Sequence, residues 1–402
     1  MATHKKPKTL AKTTIITASQ PSNSSEIIVN NDELLVQILV KLPLKSLIKF
    51  TSVSKHWFSL ISGPDFSHRR NPCSVSGIFL ESLTYCFPRE YDFVDLNQTS
   101  DPSNPPFRSL SFINSLSNIR IHHSCNGLLL CSTNINRERK DYYVYNPTTN
   151  KYTTLPPLPL RSRFVWGRSL AFEPRKSPHY KVVLVLSGKT IDDHYQIEIY
   201  SSKTGTWRPS GNSFFCRDTA FAKGVFWNGA VHWICKFEPY LYFNVDEERL
   251  SEMPLPPVPD DNDDLRFFLE SGSHLHLIYH FFEEKPPRFD IYEMEMDYSN
   301  WFLKFRVDLS ELFLEKFPHH PGLDDYFFKI VYIDRDDVGD ESYAVLRLAE
   351  KVIRYNFKSK AFHKLCDSEA GKNLCHFESG LSFTAFLMDL VDVHYIESLA
   401  LV

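Results

Sequence analysis

The sequence predicts a multidomain α+β protein in which a small three-helix module precedes a larger all-β domain. Residues 32–61 carry the spacing of short helices. Beyond residue 70, short apolar or alternating runs are separated by Pro, Asn, Asp and Ser clusters, which is typical of strands and turns. Aromatic residues form 14% of the chain, and its 14 Gly are about half the usual share, which also favours β structure. We expect a β-propeller for this domain, with a β-sandwich as the alternative.

Composition and charge exclude several classes of protein. The 402 residues are enough for two domains, and 45 Lys and Arg against 49 Asp and Glu leave a net charge of -4. Without a global basic field, binding to nucleic acid or to an anionic membrane is not expected. The eight Cys form no CxxC pair, and the N-terminus lacks the apolar run of a signal peptide. We expect a reducing compartment, the nucleus and/or the cytoplasm.

Residues 1–29 differ in composition from the remainder of the chain. They contain four Lys and many Ser and Thr, with no acidic residue before Glu26. Such a segment cannot bury enough apolar surface to fold, so we expect a disordered basic arm. The run Lys5-Lys6-Pro7-Lys8 has the composition of a nuclear address, although a plain solvated tail has the same composition.

The first predicted helix covers residues 33–42 and has an unusually wide apolar surface. Asn31 precedes it as a helix cap, and its polar residues Glu33, Gln37 and Lys41 recur every four positions. These three therefore form one narrow stripe, and the remaining circumference is apolar. Such a helix must face both its own core and something else. Two more helical segments, 44–50 and 52–61, complete a module of the size that commonly needs outside help to fold, so we expect a partner protein.

Residues 34–66 resemble an F-box, the adaptor-binding module of SCF-type cullin-RING ubiquitin ligases, and plant members in particular. The matching positions are Ile38-Leu39, Leu42-Pro43, Lys45-Ser46-Leu47, Phe50, Val53-Ser54-Lys55, Trp57, Leu60-Ile61 and Phe66. The Leu-Pro pair that opens the motif in the family is replaced here by Asn30-Asn31. The resemblance implies docking on the S-phase kinase-associated adaptor. The residues expected to face it are Leu34, Ile38, Leu42, Pro43, Leu47, Val53, Trp57, Leu60 and Ile61.

A signature in the β domain recurs five times. Two apolar residues seven positions apart flank a polar turn, and a short apolar run precedes each unit. The pairs are Tyr145/Tyr152, Tyr200/Trp207, Phe243/Leu250, Met294/Trp301 and Tyr355/Phe362. Their first members lie 55, 43, 51 and 61 residues apart, in the range of four-stranded propeller blades. Residues 75–96 offer a sixth, degenerate unit.

These repeats resemble kelch blades, but no Gly-Gly doublet is present, and the nearer resemblance is to the F-box-associated domain of plant proteins. The segments that carry it are Cys125-Asn126-Gly127-Leu128-Leu129-Leu130, Tyr145-Asn146-Pro147-Thr148-Thr149, Asn228-Gly229-Ala230-Val231-His232-Trp233 and Tyr395-Ile396-Glu397-Ser398-Leu399. We therefore divide the chain into a basic arm (1–29), an F-box (30–66), a linker (67–74) and an F-box-associated kelch-like β domain (75–402).

The sequence contains little that indicates catalysis. The common nucleotide, hydrolase and metalloprotease motifs are absent. His274, His276 and His280 would share one strand face, so a zinc site is conceivable, but strand histidines usually bind no metal and we predict no metal and no cofactor. Arginines beside aromatics and a run of Asp are the candidates for contact with a target. These weak candidates are Arg161, Arg163, Trp166, Asp260 and Asp261.

Together the two resemblances imply a non-catalytic substrate-recognition subunit of an SCF-type E3 ubiquitin ligase. Its F-box would dock on the adaptor and the cullin-RING core, and its β domain would hold a target protein for ubiquitination. The alternatives are an F-box protein that acts as a scaffold or regulator outside a ligase, and a propeller enzyme. Adaptor capture without cullin would favour the first, and a bound metal or cofactor the second.

Overall fold

The computed structural model describes most of the helical module and the β domain. The described residues are 28, 30–70, 75–81, 91–96, 110, 119–133, 141–158, 164–187, 194–217, 219–235, 239–257, 265–281, 288–309, 328–335, 341–348, 351–367 and 392–402. The predicted basic arm lies outside these residues apart from Ile28. Within the described part, no helix has the length and apolar character needed to span a membrane.

From Asn30 to Arg70, the described part of the N-terminal module contains four helices: α1 (Asp32–Leu39), α2 (Leu44–Phe50), α3 (Lys55–Ile61) and α4 (Pro64–Arg69). The predicted cap of α1 is confirmed, because Asn31 Oδ1 accepts a hydrogen bond from the Leu34 backbone N–H at 3.1 Å. Helix α4 was not expected. Helix α3 ends at Ile61, and Pro64 then occupies the first turn of α4, where its missing N–H costs nothing.

Twenty-three strands follow in the described residues, with one 3₁₀ turn at Phe221–Lys223. They are β1 (Gly77–Glu81), β2 (Tyr91–Asp95), β3 (Ile119–Cys125), β4 (Leu128–Thr133), β5 (Tyr142–Asn146), β6 (Lys151–Thr154), β7 (Val165–Ala171), β8 (Lys181–Ser187), β9 (His194–Ser201), β10 (Thr206–Phe215), β11 (Val225–Trp227), β12 (Ala230–Trp233), β13 (Tyr240–Asn244), β14 (Arg249–Met253), β15 (Leu265–Ser271), β16 (His274–Phe281), β17 (Arg288–Met294), β18 (Trp301–Asp308), β19 (Phe328–Asp334), β20 (Tyr343–Leu348), β21 (Lys351–Asn356), β22 (Phe362–Asp367) and β23 (Asp392–Tyr395).

The strands form six antiparallel sheets, the blades of a β-propeller. Blades 1 to 5 are four-stranded meanders made of β3–β6, β7–β10, β11–β14, β15–β18 and β19–β22. Blade 6 has the order β2-β1-β23, so strands from the two ends of the domain share one sheet. Phe79 of β1 pairs with Val393 of β23. The expected propeller is confirmed, the β-sandwich alternative is wrong, and the degenerate unit at 75–96 is a blade completed from the C-terminal side.

The repeated signature marks the outer hairpin of each of blades 1 to 5. All five predicted pairs are direct cross-strand partners, from Tyr145 with Tyr152 to Tyr355 with Phe362. Each of the five hairpin turns contains a residue with positive φ, such as 53° at Asn150 and 72° at Gly205. The turns are thus accessible to solvent, and the anchors are buried or half-buried except Tyr152, which is 42% exposed.

Tryptophans at blade junctions join neighbouring blades by hydrogen bonds as well as by packing. Trp207 Nε1 of blade 2 donates to the Pro156 carbonyl, which follows blade 1, at 2.8 Å. Trp301 Nε1 of blade 4 donates to the Pro254 carbonyl, which follows blade 3, at 2.9 Å. Each indole N–H therefore has an acceptor across a blade junction. A purely apolar side chain in its place could not donate this hydrogen bond.

The propeller has two distinct ends because consecutive strands within a blade run in opposite directions. From β3 to β22, connections after odd-numbered strands lie at one end, which we call the turn face, and the others at the opposite loop face. Residues 396–402 leave β23 at the turn face, where the Ser398 N–H donates to Thr148 Oγ1 of a hairpin tip at 3.1 Å. The Ser76 N–H pairs with the Tyr395 carbonyl, so the chain also enters β1 from the turn face.

Candidate functional site

The helical module has a complete apolar core of its own. Its buried members are Leu35, Val36, Leu39, Leu44, Leu47, Ile61 and Phe66. Two residues predicted to face the adaptor belong to this core, since Leu47 is 0% exposed and Ile61 is 1% exposed. Neither side chain offers surface to a partner while the module is folded.

Four apolar residues remain on the outside of the module. Leu34 and Ile38 of α1 are 38% and 46% exposed, Val53 before α3 is 60% exposed, and Phe58 of α3 is 37% exposed. Leu34 and Ile38 are one helical turn apart, so they share a face that Leu35 and Leu39 do not occupy. The wide apolar surface predicted for the first helix is therefore divided between the core and the exterior. We call these four residues the exposed F-box surface.

The other predicted adaptor-facing residues are intermediate or lie at a helix boundary. Leu42, Trp57 and Leu60 are half-buried against the core, and Pro43 is exposed in the connection that caps α2. Phe58 is not among the residues predicted to face the adaptor, because it is not one of the positions that match the F-box pattern. Its exposure depends on how α3 is rotated on the core, which the spacing alone does not define.

Polar contacts position α1 against the later helices. Arg69 Nη1 donates to Glu33 Oε1 at 2.6 Å, and this bond holds the pKa of the Glu33 carboxyl below its ordinary value. His56 Nε2 lies 2.8 Å from Asp32 Oδ1 and links α3 to the start of α1. These exposed contacts are individually weak, but they orient the helix that carries half of the exposed F-box surface.

The C-terminal segment contacts both domains. Asn146 Nδ2, in blade 1, donates to the carbonyls of Ser398 and Ala400 at 3.0 and 2.9 Å. Between them, Leu399 packs on the core of the helical module. The segment therefore lies between the module and the turn face.

An aromatic group is exposed on blade 2 at the loop face. Phe164, Trp166 and Phe215 are 77%, 52% and 55% exposed. The Trp166 ring lies perpendicular to that of Tyr195 at 6.4 Å, and the Arg217 guanidinium lies 5.4 Å from the Phe215 ring centre. Phe215 pairs with His194 and Phe214 with Tyr195, so the Phe215 side chain lies on the opposite face of the sheet from Tyr195. The blade 2 patch is our name for the five residues that share the loop-face end of this blade: Phe164, Trp166, Tyr195, Phe215 and Arg217.

The structure places one predicted target-binding residue, Trp166, in the blade 2 patch. Arg161, Arg163, Asp260 and Asp261 lie outside the described residues. Phe215 and Arg217 were missed, although the run Phe214-Phe215-Cys216-Arg217 was a visible signal in the sequence. Two adjacent aromatics on a strand point to opposite faces, so one of them is exposed unless both faces are covered.

The histidines and cysteines have structural surroundings where the structure describes them. The described residues include no group of three or more His, Cys, Asp or Glu side chains that could hold a metal. Glu293 Oε1 lies 3.1 Å from His274 Nδ1 and 2.8 Å from Arg335 Nη1, and these partners lower the pKa of Glu293 despite its burial. Burial raises the pKa of the Cys131 thiol, and that of Cys366 to about 11, so both are protonated at neutral pH.

Comparison with known proteins identifies both domains. Residues 31–69 match the F-box domain, and residues 84–321 match the F-box associated beta propeller domain. The second match ends before blade 5, so the structure extends the propeller beyond it to β23.

Two Arabidopsis thaliana proteins illustrate the similarity. F-box protein At5g07610 is 35% identical over 384 residues, covering 86% of this chain and 87% of its own. F-box protein At5g49610 is 29% identical over 262 residues, covering 61% of this chain and 68% of its own. The chain therefore belongs to the plant F-box proteins with a C-terminal F-box associated β-propeller domain.

Proposed function

We propose that this protein is the substrate-recognition subunit of an SCF-type cullin-RING E3 ubiquitin ligase. The observation that carries the proposal is the exposed F-box surface, which remains outside a module whose core is already complete. Exposed apolar residues on a small module, such as Leu34 and Ile38 one turn apart on α1, are typical of a protein interface. The S-phase kinase-associated adaptor, which F-boxes bind, is the proposed partner.

The proposed contact with the adaptor is narrower than the residue set predicted from the sequence. It comprises Leu34, Ile38, Val53 and the newly added Phe58, with Leu42, Pro43, Trp57 and Leu60 at its margin. Leu47 and Ile61 contribute indirectly by holding the helices together.

The blade 2 patch is the proposed contact with a target protein. Exposed Trp, Phe and Arg side chains are the residue types that dominate binding energy at interfaces. The helical module packs at the turn face and the patch lies at the loop face, so adaptor and target would bind without competing. The chain would then act by proximity, because it raises the local concentration of target lysines near the ligase-bound E2 enzyme.

Co-purification of the full chain with the adaptor and cullin tests the ligase assignment. We expect both partners to bind the wild type and to be lost from Ile38→Asp. Leu303→Asp is the matched control, because Leu303 is 43% exposed on a propeller strand. Equal capture of both variants, or no capture of either partner by the wild type, would contradict the proposal.

One observation favours a second candidate, a scaffold or regulator that acts without cullin. Asn31, at the position of the family's opening Leu-Pro pair, uses its side chain to cap α1 and offers no apolar contact. A weaker adaptor contact would follow. Capture of the adaptor without cullin in the same experiment would select this candidate.

A further inference from the structure

A cavity of about 850 Å³ lies between the helical module, the innermost strands of the blades and the C-terminal segment. Phe66 of α4 lines it from the module, His394 of β23 from the propeller axis, and Leu399 from the C-terminal segment. We call it the axial chamber. Its volume is in the range of small-molecule sites, and it is far too small for a folded domain.

The charge of the axial chamber is opposite in sign to that of the chain. Eight Lys and Arg line it against four Asp and Glu, whereas the whole protein has a net charge of -4. Two of the four acids pair with lining lysines, Glu173 with Lys176 at 2.9 Å and Asp392 with Lys329, and Asp392 also pairs with Arg347 at 2.9 Å. Six lining cations remain against two acids. The chamber therefore concentrates positive charge in a protein that is acidic overall.

Three arginines from separate segments line the chamber: Arg70 after α4, Arg120 of β3 and Arg168 of β7. All three are half-buried, and none forms an ion pair with a carboxylate of the described residues. Arg168 Nε donates to the Tyr142 hydroxyl at 3.1 Å. Arg120 Nε and Arg70 Nη1 are buried and have no hydrogen-bond partner among the residues that the structure describes.

A guanidinium removed from water without an anion is unfavourable, so three together call for a negative partner. The planar guanidinium matches carboxylate and phosphate oxygens by paired hydrogen bonds. The Glu270 carboxyl also lines the chamber, and burial raises its pKa to about 7, which reduces its ability to neutralise the arginines.

We propose that the axial chamber binds a compact polyanion with phosphate or carboxylate groups, held by Arg70, Arg120 and Arg168. Arg70 follows the F-box helices and the other two belong to the propeller, so the bound anion contacts both domains. The site differs from the exposed F-box surface and from the blade 2 patch, and it requires neither adaptor nor target.

Calorimetric titration of the purified full chain at constant ionic strength tests the site with two probes, tripolyphosphate and citrate. We expect at least one of the two probes to bind saturably, with one anion bound per chain. Binding of tripolyphosphate alone identifies a phosphoryl ligand, and binding of citrate alone a carboxylate ligand. Saturable binding of neither probe would overturn the proposal.

Substitutions distinguish anion binding at this site from anion binding to general surface charge. Arg120→Gln and Arg168→Gln should each weaken binding by about 10- to 100-fold, the effect of one hydrogen bond between charged groups. Arg249→Gln is the matched control, because Arg249 is exposed and paired with Glu247 at 3.0 Å outside the chamber. Equal affinities for all three variants would overturn the proposal.

Arg120→Lys, which keeps the charge, should retain more affinity than Arg120→Gln, and circular dichroism verifies that each variant is folded. The ligase is absent from this assay, so its outcome is independent of the proposed function.

Discussion

Truncation of the two exposed apolar residues of α1 should weaken adaptor binding without unfolding the F-box. Leu34 and Ile38 retain 38% and 46% of their surface in the free chain. Full burial of one such side chain contributes about 1.5–3 kcal/mol, so covering these exposed fractions contributes about 1.3–2.5 kcal/mol together. The double substitution Leu34→Ala/Ile38→Ala should therefore raise the Kd for the adaptor by about 10- to 70-fold.

The assay is titration of the purified adaptor against wild type and variant, with thermal unfolding of each recorded in parallel. The matched control is Leu47→Ala, at a predicted adaptor-facing residue that is fully buried. That variant should lower the unfolding temperature, since a buried Leu→Ala substitution costs about 2–5 kcal/mol. Unchanged affinity of the double variant would refute the reasoning, as would a loss of affinity that is explained by unfolding alone.

Three further predictions concern the propeller. Trp301→Phe should destabilise the chain by about 1–3 kcal/mol in urea unfolding, because a buried carbonyl loses its donor, and no loss would contradict the role assigned to the indole. Gly127→Ala should lower the free energy of unfolding by about 2–4 kcal/mol, because φ is 85° and the new Cβ would lie 2.3 Å from Ser398 Cβ. Gly205→Ala, where φ is 72° and the Cβ would enter open space, should lower it by only about 1 kcal/mol. Equal losses for the two variants would contradict this prediction. Glu270→Gln should stabilise the protein by up to about 3 kcal/mol at pH 8, because the wild-type carboxyl has a pKa of about 7 in the folded state against 4.5 in the unfolded state. This gain in stability should vanish as the pH falls to 4.5, and a pH-independent effect would contradict the prediction.

The repeated part of the fold could be predicted because its signal is local. Tyr200 and Trp207 are seven residues apart in the chain and directly opposite each other in the hairpin, so spacing alone indicates the contact. The completion of blade 6 could not be predicted in the same way. β23 has only four residues, Asp392–Tyr395, and its partner β1 lies more than 300 residues earlier, so no short window contains both strands.

The candidate sites were predicted less completely than the fold. Helical spacing identifies α1 as apolar on two sides, but it does not decide which side another helix covers, and Leu47 and Ile61 were therefore assigned to the wrong environment. Arg70, Arg120 and Arg168 lie 50 and 48 residues apart, too far for a helical or strand period to relate them. Their proximity arises from the closure of the blades around an axis, which is a property of the ring and not of any segment.

The pairing of β23 with β1 also constrains how the protein is made. Ribosomes build the chain from the N-terminus, so β1 is synthesised near the beginning of the β domain and its partner after every other strand. Until Tyr395 leaves the ribosome, Gly77 to Leu80 present an unpaired edge, which is the kind of surface that recruits other nascent chains. A premature stop codon just before residue 392 would keep five complete blades and still leave the ring open. Closure of the ring by β23 is therefore a late event in the biosynthesis of this protein.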